Sequence, residues 1–163
     1  MANNVYKIAQ LRSGSLHIMA KPPAGAALES CLAELFAKGI NRVVSLLEIS
    51  EQTELELDQE PALTTKHNME FVSYPITDMS LPVSVDAYLA FTKRLYDECN
   101  AGLYTVVHCR AGIGRSGIIA AGVLLHDGYT PLDAFAHIST QRTVPVPDTQ
   151  QQIDWVVSCH KFM

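Results

Sequence analysis

Short apolar runs of strand length alternate along this chain with longer stretches in which apolar side chains recur every three or four positions. The runs 15–19 (SLHIM), 42–47 (RVVSLL), 71–76 (FVSYPI) and 104–109 (YTVVHC) predict strands, and 5–11 predicts a partner for the first. After the breaker KPPAG (21–25), Leu28, Cys31, Leu32, Leu35 and Phe36 share one face of a helix that Gly39 closes. Val85, Leu89, Thr92, Leu95 and Cys99 mark a second such face between Ser84 and Cys99. The polar stretch 50–68 predicts partial helix interrupted by Pro61, and 77–82 (TDMSLP) predicts a loop. Residues 116–126 are apolar almost all round, which predicts a central, buried helix. Thr130-Pro131-x-Asp133 and Thr149-x-x-Gln152 open two more helices, the second with a capping box.

Strands alternating with helices, then three helices in succession, predict an α/β fold with a mostly parallel central sheet flanked by helices on both faces. One domain over 1–163 accommodates the pattern, and 163 residues at 48% hydrophobic content suffice for a full core. In such sheets ligands sit beyond the carboxyl ends of the strands, where the loop after 104–109 lies.

Charge narrows the partners. A net charge of −5 argues against broad binding to nucleic acid or to an anionic membrane. The start MANNVYKIAQ lacks the pattern of a signal peptide, and the apolar stretch 118–125 is too short to span a bilayer. Cys31, Cys99, Cys109 and Cys159 show no C-x-x-C pairing and suit a reducing compartment better than a disulfide framework or a zinc site. The histidines at 17, 67, 126, 137 and 160 have no metal-ligand spacing. The expectation is a cytoplasmic monomer without metal or cofactor.

The stretch HCRAGIGRSG (108–117) carries the chemistry. Read as G-x-G-x-x-G (Gly112, Gly114, Gly117), it suggests a dinucleotide-binding turn, but no second strand with a ribose-binding acid follows. Read as a phosphate loop, it accounts for residues the first reading leaves idle. Loop N–H groups and a helix N-terminus favour an anion and ionise a thiol set among them. Ala111, Gly112 and Gly114 leave room for the backbone to close around a phosphoryl group, Arg110 and Ile113 complete the loop, and Arg115 offers a planar fork for two of its oxygens.

His108-Cys109-x5-Arg115-Ser116 resembles the signature of the cysteine-dependent protein tyrosine phosphatase superfamily. With GINRVVSLLE (39–48), FVSYPITDMSLP (71–82) and the segment 146–155, the chain is similar to the compact dual-specificity branch, most of all to its kinase-associated members, from about residue 11 to 160. The resemblance implies a dual-specificity phosphatase-like fold and a phosphatase needing no cofactor. Cys109 would be the nucleophile and Arg115 the phosphate clamp. Asp78 would be the general acid and then base, with Asp86, Asp133 and Asp148 as competitors. Ser116 can donate to the departing sulfur, and His108 would bond to groups behind the loop and help set the thiolate. Gln152 matches a glutamine that positions water, although a reciprocal helix cap explains it equally. Arg110 would line the mouth, and Cys31, Cys99 and Cys159 fit packed helix faces, one of them being a possible resolving thiol.

The expected substrate is a phosphorylated protein or peptide. The chain lacks segments that would build a deep cleft, so phosphotyrosine and also phosphoserine or phosphothreonine fit. The loop interior lacks the lysines that suit an inositol phosphate. A non-catalytic phospho-binding module on the same scaffold is the alternative from another class.

Overall fold

The computed structural model describes residues 4–163. Five strands form one sheet in the order β1-β2-β5-β3-β4: β1 (Val5–Leu11), β2 (Gly14–Met19), β3 (Arg42–Ser45), β4 (Glu70–Ser73) and β5 (Tyr104–His108). Only β1 runs antiparallel to its neighbour; β2, β5, β3 and β4 pair in parallel. Seven helices complete the described chain: α1 (Ala26–Ala37), α2 (Ile49–Glu54), α3 (Glu60–Lys66), α4 (Val85–Asn100), α5 (Gly114–His126), α6 (Pro131–Arg142) and α7 (Gln150–His160).

Strand alternation explains why both faces are covered. Ile18, Val44 and Val107 lie side by side in register and point into one core, which α4, α5, α6 and α7 close. Their neighbours Met19, Val43 and Val106 point to the other face, where Leu28, Leu32 and Leu35 of α1 cover them. Buried in the larger core, α5 has every residue from Gly114 to Leu125 out of solvent. That is the expected central helix, begun two residues earlier than its apolar run.

Several details differ from the sequence reading. The strands end at Ser45 and Ser73, short of the apolar runs, and Pro75 sits where its nitrogen faces the open edge of β4 and costs no ladder bond. Tyr74 and Ile76 still donate to Ser45 and Leu46 carbonyls at 2.9 and 3.0 Å, so the chain keeps its direction. Pro61 interrupts nothing; it sits in the first turn of α3, where its missing N–H is harmless, and the break lies at 55–59. Phe36, counted on the buried face of α1, is 47% exposed. In α4 the core is taken by Tyr88, Phe91, Thr92, Leu95 and Cys99, while Val85 and Leu89 are partly buried. Ser84 caps α4 through Ala87 N–H, and Thr130 caps α6 through Asp133 N–H.

The central strand, β5, lies between β2 and β3, so the loop that follows it emerges at the middle of the sheet's carboxyl edge. No strand follows β5 among the described residues, so the βαβ unit of a dinucleotide site is not formed.

Candidate active site

Each carbonyl of the loop 109–113 meets a nitrogen from elsewhere in the fold or from its own neighbours. Cys109 O faces His108 Nδ1 at 3.2 Å, Arg110 O accepts from Lys21 N–H at 3.1 Å, and Ile113 O accepts from Gly117 N–H at 3.0 Å. Arg142 holds two more, donating from Nη2 to Ala111 O and from Nε to Gly112 O, both at 3.1 Å. At the loop's root, His108 O accepts from Leu46 N–H. Gly112 makes the turn possible: its φ is +71°, and a Cβ there would come 2.6 Å from the Met19 backbone.

Cys109 follows the end of β5 and is buried. Ser116, in the first turn of α5, donates its hydroxyl to Cys109 Sγ at 3.1 Å. Arg115, beside it, is buried and heavily constrained. Its Nη1 and Nη2 bond Glu51 Oε1 and Oε2 at 2.6 and 3.0 Å, and Nη1 also donates to Ile76 O at 2.9 Å. Arg115 Nε, also buried, has no hydrogen-bond partner among the described residues. The guanidinium is thus fixed along one edge and keeps a donor for something else.

Asp78, on the loop after β4, places Oδ1 at 3.0 Å from Arg115 Nη2 and Oδ2 at 3.7 Å from Arg110 Nε. Thr77 donates to Glu48 Oε2 at 3.2 Å, which ties this loop to the start of α2. Arg110 is 36% exposed at the mouth, near Glu51, Glu54 and Asp78. Of the competing acids, Asp133 sits in the first turn of α6, beyond the far end of α5 from the loop, and Asp86 in the first turn of α4. Asp148 belongs to the site's surroundings: its Oδ2 lies where a Cβ on Gly114 would be. Burial, with the Asp78 charge, raises its carboxyl above the usual aspartate value.

Gln152 is fully buried and its amide bridges two segments. Oε1 accepts from the Asp148 and Thr149 N–H groups at 3.0 and 3.1 Å, completing a capping box, and Nε2 donates to Ser80 O at 3.3 Å. It therefore caps α7 and at the same time tethers the Asp78 loop. Oε1 is taken by the cap, so positioning water, the role the resemblance implies, would fall to the second N–H of Nε2.

His108 is fully buried, with Nε2 2.6 Å from Glu60 Oε2. Burial alone would lower its titration, but the Glu60 charge and hydrogen bond outweigh it and raise the imidazole above its ordinary value. Burial would also raise Glu51, yet the Arg115 hydrogen bonds and the Glu48 N–H hold its carboxyl below the usual range. The other cysteines are packed elsewhere: Cys99 Sγ lies 3.6 Å from Ser15 O and Thr105 Oγ1, and burial pushes the Cys159 thiol up to about 11.

Glu51, Glu60 and Arg142 are the residues sequence reasoning missed. Glu51 had a local signal, since Glu48-x-x-Glu51 after a strand is an acidic capping pair, and both halves of that box form. Nothing around Glu60 or Arg142 in the chain distinguishes them from surface charges.

A buried thiol after the central strand of a mostly parallel sheet, followed by a glycine-rich loop with a buried arginine and approached by a loop carboxylate, is the construction of a compact cysteine-dependent phosphatase. A family model described as Tc-R-P, "Polymorphic toxin system, DSP-PTPase phosphatase", matches residues 18–129, and the chain belongs to that family. The human protein tyrosine phosphatase type IVA 3 is 28% identical over 123 residues, a match covering 74% of this chain and 65% of that protein. The chain thus spans less than two thirds of that relative's length. The fold is similar to that of a kinase associated phosphatase whose catalytic-site cysteine was replaced by serine, with a TM-score of 0.90 at 18% identity, covering 99% of this chain and 96% of the other. It is also similar to P. aeruginosa TpbA in a cysteine-to-serine form in complex with phosphotyrosine, with a TM-score of 0.59 at 17% identity, covering 97% and 90% of the two chains. At these identities the structural likeness speaks for the fold alone.

Proposed function

We propose that this chain hydrolyses phosphate monoesters on proteins, phosphotyrosine first and phosphoserine or phosphothreonine also, through a cysteinyl-phosphate. The observation that carries the reading is Arg115, buried and fixed by Glu51 on one edge, with Nε a buried donor that has no partner among the described residues, next in the chain to Ser116, whose hydroxyl donates to Cys109 Sγ. Membership of the DSP-PTPase family supports it, as do the name of the human relative and the phosphotyrosine bound to TpbA.

In the first step the Cys109 thiolate attacks phosphorus, the P–O ester bond breaks, and Asp78 gives the leaving oxygen a proton. Loop amides and Arg115 stabilise the equatorial oxygens throughout. In the second step water attacks phosphorus, Asp78 takes its proton, and the S–P bond breaks. The sulfur then regains its negative charge, with the Ser116 hydroxyl donating to it. His108 and Gln152 support the site from behind and from the cap of α7.

The same reading has a single-domain monomer working in the cytoplasm without nucleic acid or membrane. Its support is the net charge of −5, which argues against broad binding to nucleic acid or an anionic membrane, and four cysteines whose spacing suits a reducing compartment.

Hydrolysis of para-nitrophenyl phosphate and of phosphotyrosine and phosphothreonine peptides tests the proposal. Turnover is expected to resist chelators and to be inhibited by vanadate. Cys109→Ser is expected to lower it by roughly 10³-fold or more while phosphopeptide binding persists. Undiminished turnover by that variant would sink the mechanism.

A further inference from the structure

Behind the phosphate loop lies a pair of titratable groups that the chemistry above does not use. Glu60, in the first turn of α3, and His108, at the end of β5, are both fully buried and lie 48 positions apart in the chain. Glu60 Oε2 is 2.6 Å from His108 Nε2, and the ring's other nitrogen, Nδ1, is 3.2 Å from Cys109 O. Glu60 Oε1 is buried and has no hydrogen-bond partner among the described residues.

Both ring nitrogens therefore face oxygens. A neutral imidazole carries one N–H, so one nitrogen would turn a lone pair toward an acceptor. A ring protonated at both positions satisfies both contacts. The charged groups around it are Glu60 from α3 and Arg115 from α5, and Arg115 is itself neutralised by Glu51 from α2. A fully buried carboxylate with one oxygen unsatisfied is costly, and an apolar residue of similar size would fill the space more cheaply. Holding a proton on the ring is a function that only an acid at this place performs.

We propose that Glu60 is a positioning residue of the active site: it keeps His108 as an imidazolium against the Cys109 peptide, fixing the start of the loop and adding positive charge that favours the thiolate. The inference rests on the phosphatase reading and assigns a role within it. No bond to substrate is made by either group.

The near-isosteric Glu60→Gln tests it. The kcat is expected to fall about tenfold while KM stays within about twofold. The pH curve for alkylation of Cys109 by iodoacetate is expected to move up by about one unit. A variant that folds and matches the unmodified protein in both overturns the proposal. If Glu60→Gln does not fold, nitrogen-15 NMR of the histidine-labelled unmodified protein at pH 7 decides the matter. Both ring nitrogens of His108 are expected to be protonated, and a neutral ring overturns the proposal. Absence of aryl phosphate turnover by the unmodified protein would strike the phosphatase reading alone, because the alkylation curve and the ring's protonation are read without turnover.

Discussion

Both oxygens of Glu51 sit on Arg115, and the pair is buried. The guanidinium can be rigid because one edge is spent on protein, so the remaining donor needs little ordering when an anion arrives. Glu51→Gln leaves the buried Arg115 with only the half-exposed Asp78 as counter-charge. It is expected to cost about 3–5 kcal/mol of stability, read by denaturant unfolding. It is also expected to lower kcat/KM about 10²-fold, read with para-nitrophenyl phosphate. Since the Glu51 carboxyl titrates below its ordinary value of 4.5, its contribution is present above that pH and is lost as pH falls through the depressed folded value. The neutral variant is expected to lack that acid-dependent component.

Gln152 links two elements, the N-terminus of α7 and the loop that carries Asp78. Its two halves do different jobs. Gln152→Ala removes both and is expected to cost about 1 kcal/mol through the lost cap, with a fall in kcat as the Asp78 loop loses its tether at Ser80. Gln152→Glu keeps an acceptor for the Asp148 and Thr149 N–H groups but turns a buried carboxylate oxygen toward Ser80 O. It is expected to leave both the melting temperature and kcat below those of the unmodified protein. Recovery of both by the glutamate would refute the tether. At this scale the strands act as rulers. Parallel β3, β5 and β4 set Glu51, Cys109 and Asp78 at one edge, because each residue follows the carboxyl end of its strand.

Across the whole molecule, buried charge is placed at both ends of the sheet. Arg42 opens β3 at the edge opposite the site, fully buried against Glu98, with Glu70 at 3.5 Å and Thr105 at 3.1 Å. Titration of the interior then has a direction. Burial, with Lys7 nearby, lowers His17 to about 4, so between 6.5 and about 4 the unfolded chain binds more protons there than the folded one. Stability is expected to fall as pH drops through that window. His108 works the other way, being raised: its contribution is full below 6.5 and is lost as pH rises through its folded value. Melting temperatures of the protein and of His17→Gln from pH 7 to pH 4 check the first expectation. The variant is expected to show a smaller acid loss, and an unchanged slope would remove His17 as its cause.

The chain by itself determined the α/β alternation, the burial of α5 and the run from His108 to Ser116. In each case the physics is local: periodicity decides which face is apolar, and a loop between a strand and a helix needs only neighbouring residues to form an anion seat. It also marked the loop of Asp78, because the strand before it and the proline after it bracket a turn. Only tertiary structure decided which distant charged residues reach the loop. Glu51, Glu60 and Arg142 come from α2, α3 and α6, separated by 64, 48 and 30 positions from the groups they hold. Buried charges and polar groups select partners by burial and distance, and neither exists until the sheet has stacked its helices. The same limit explains Phe36 and Leu89: a helical period names a stripe, but packing neighbours decide how far it turns into the core.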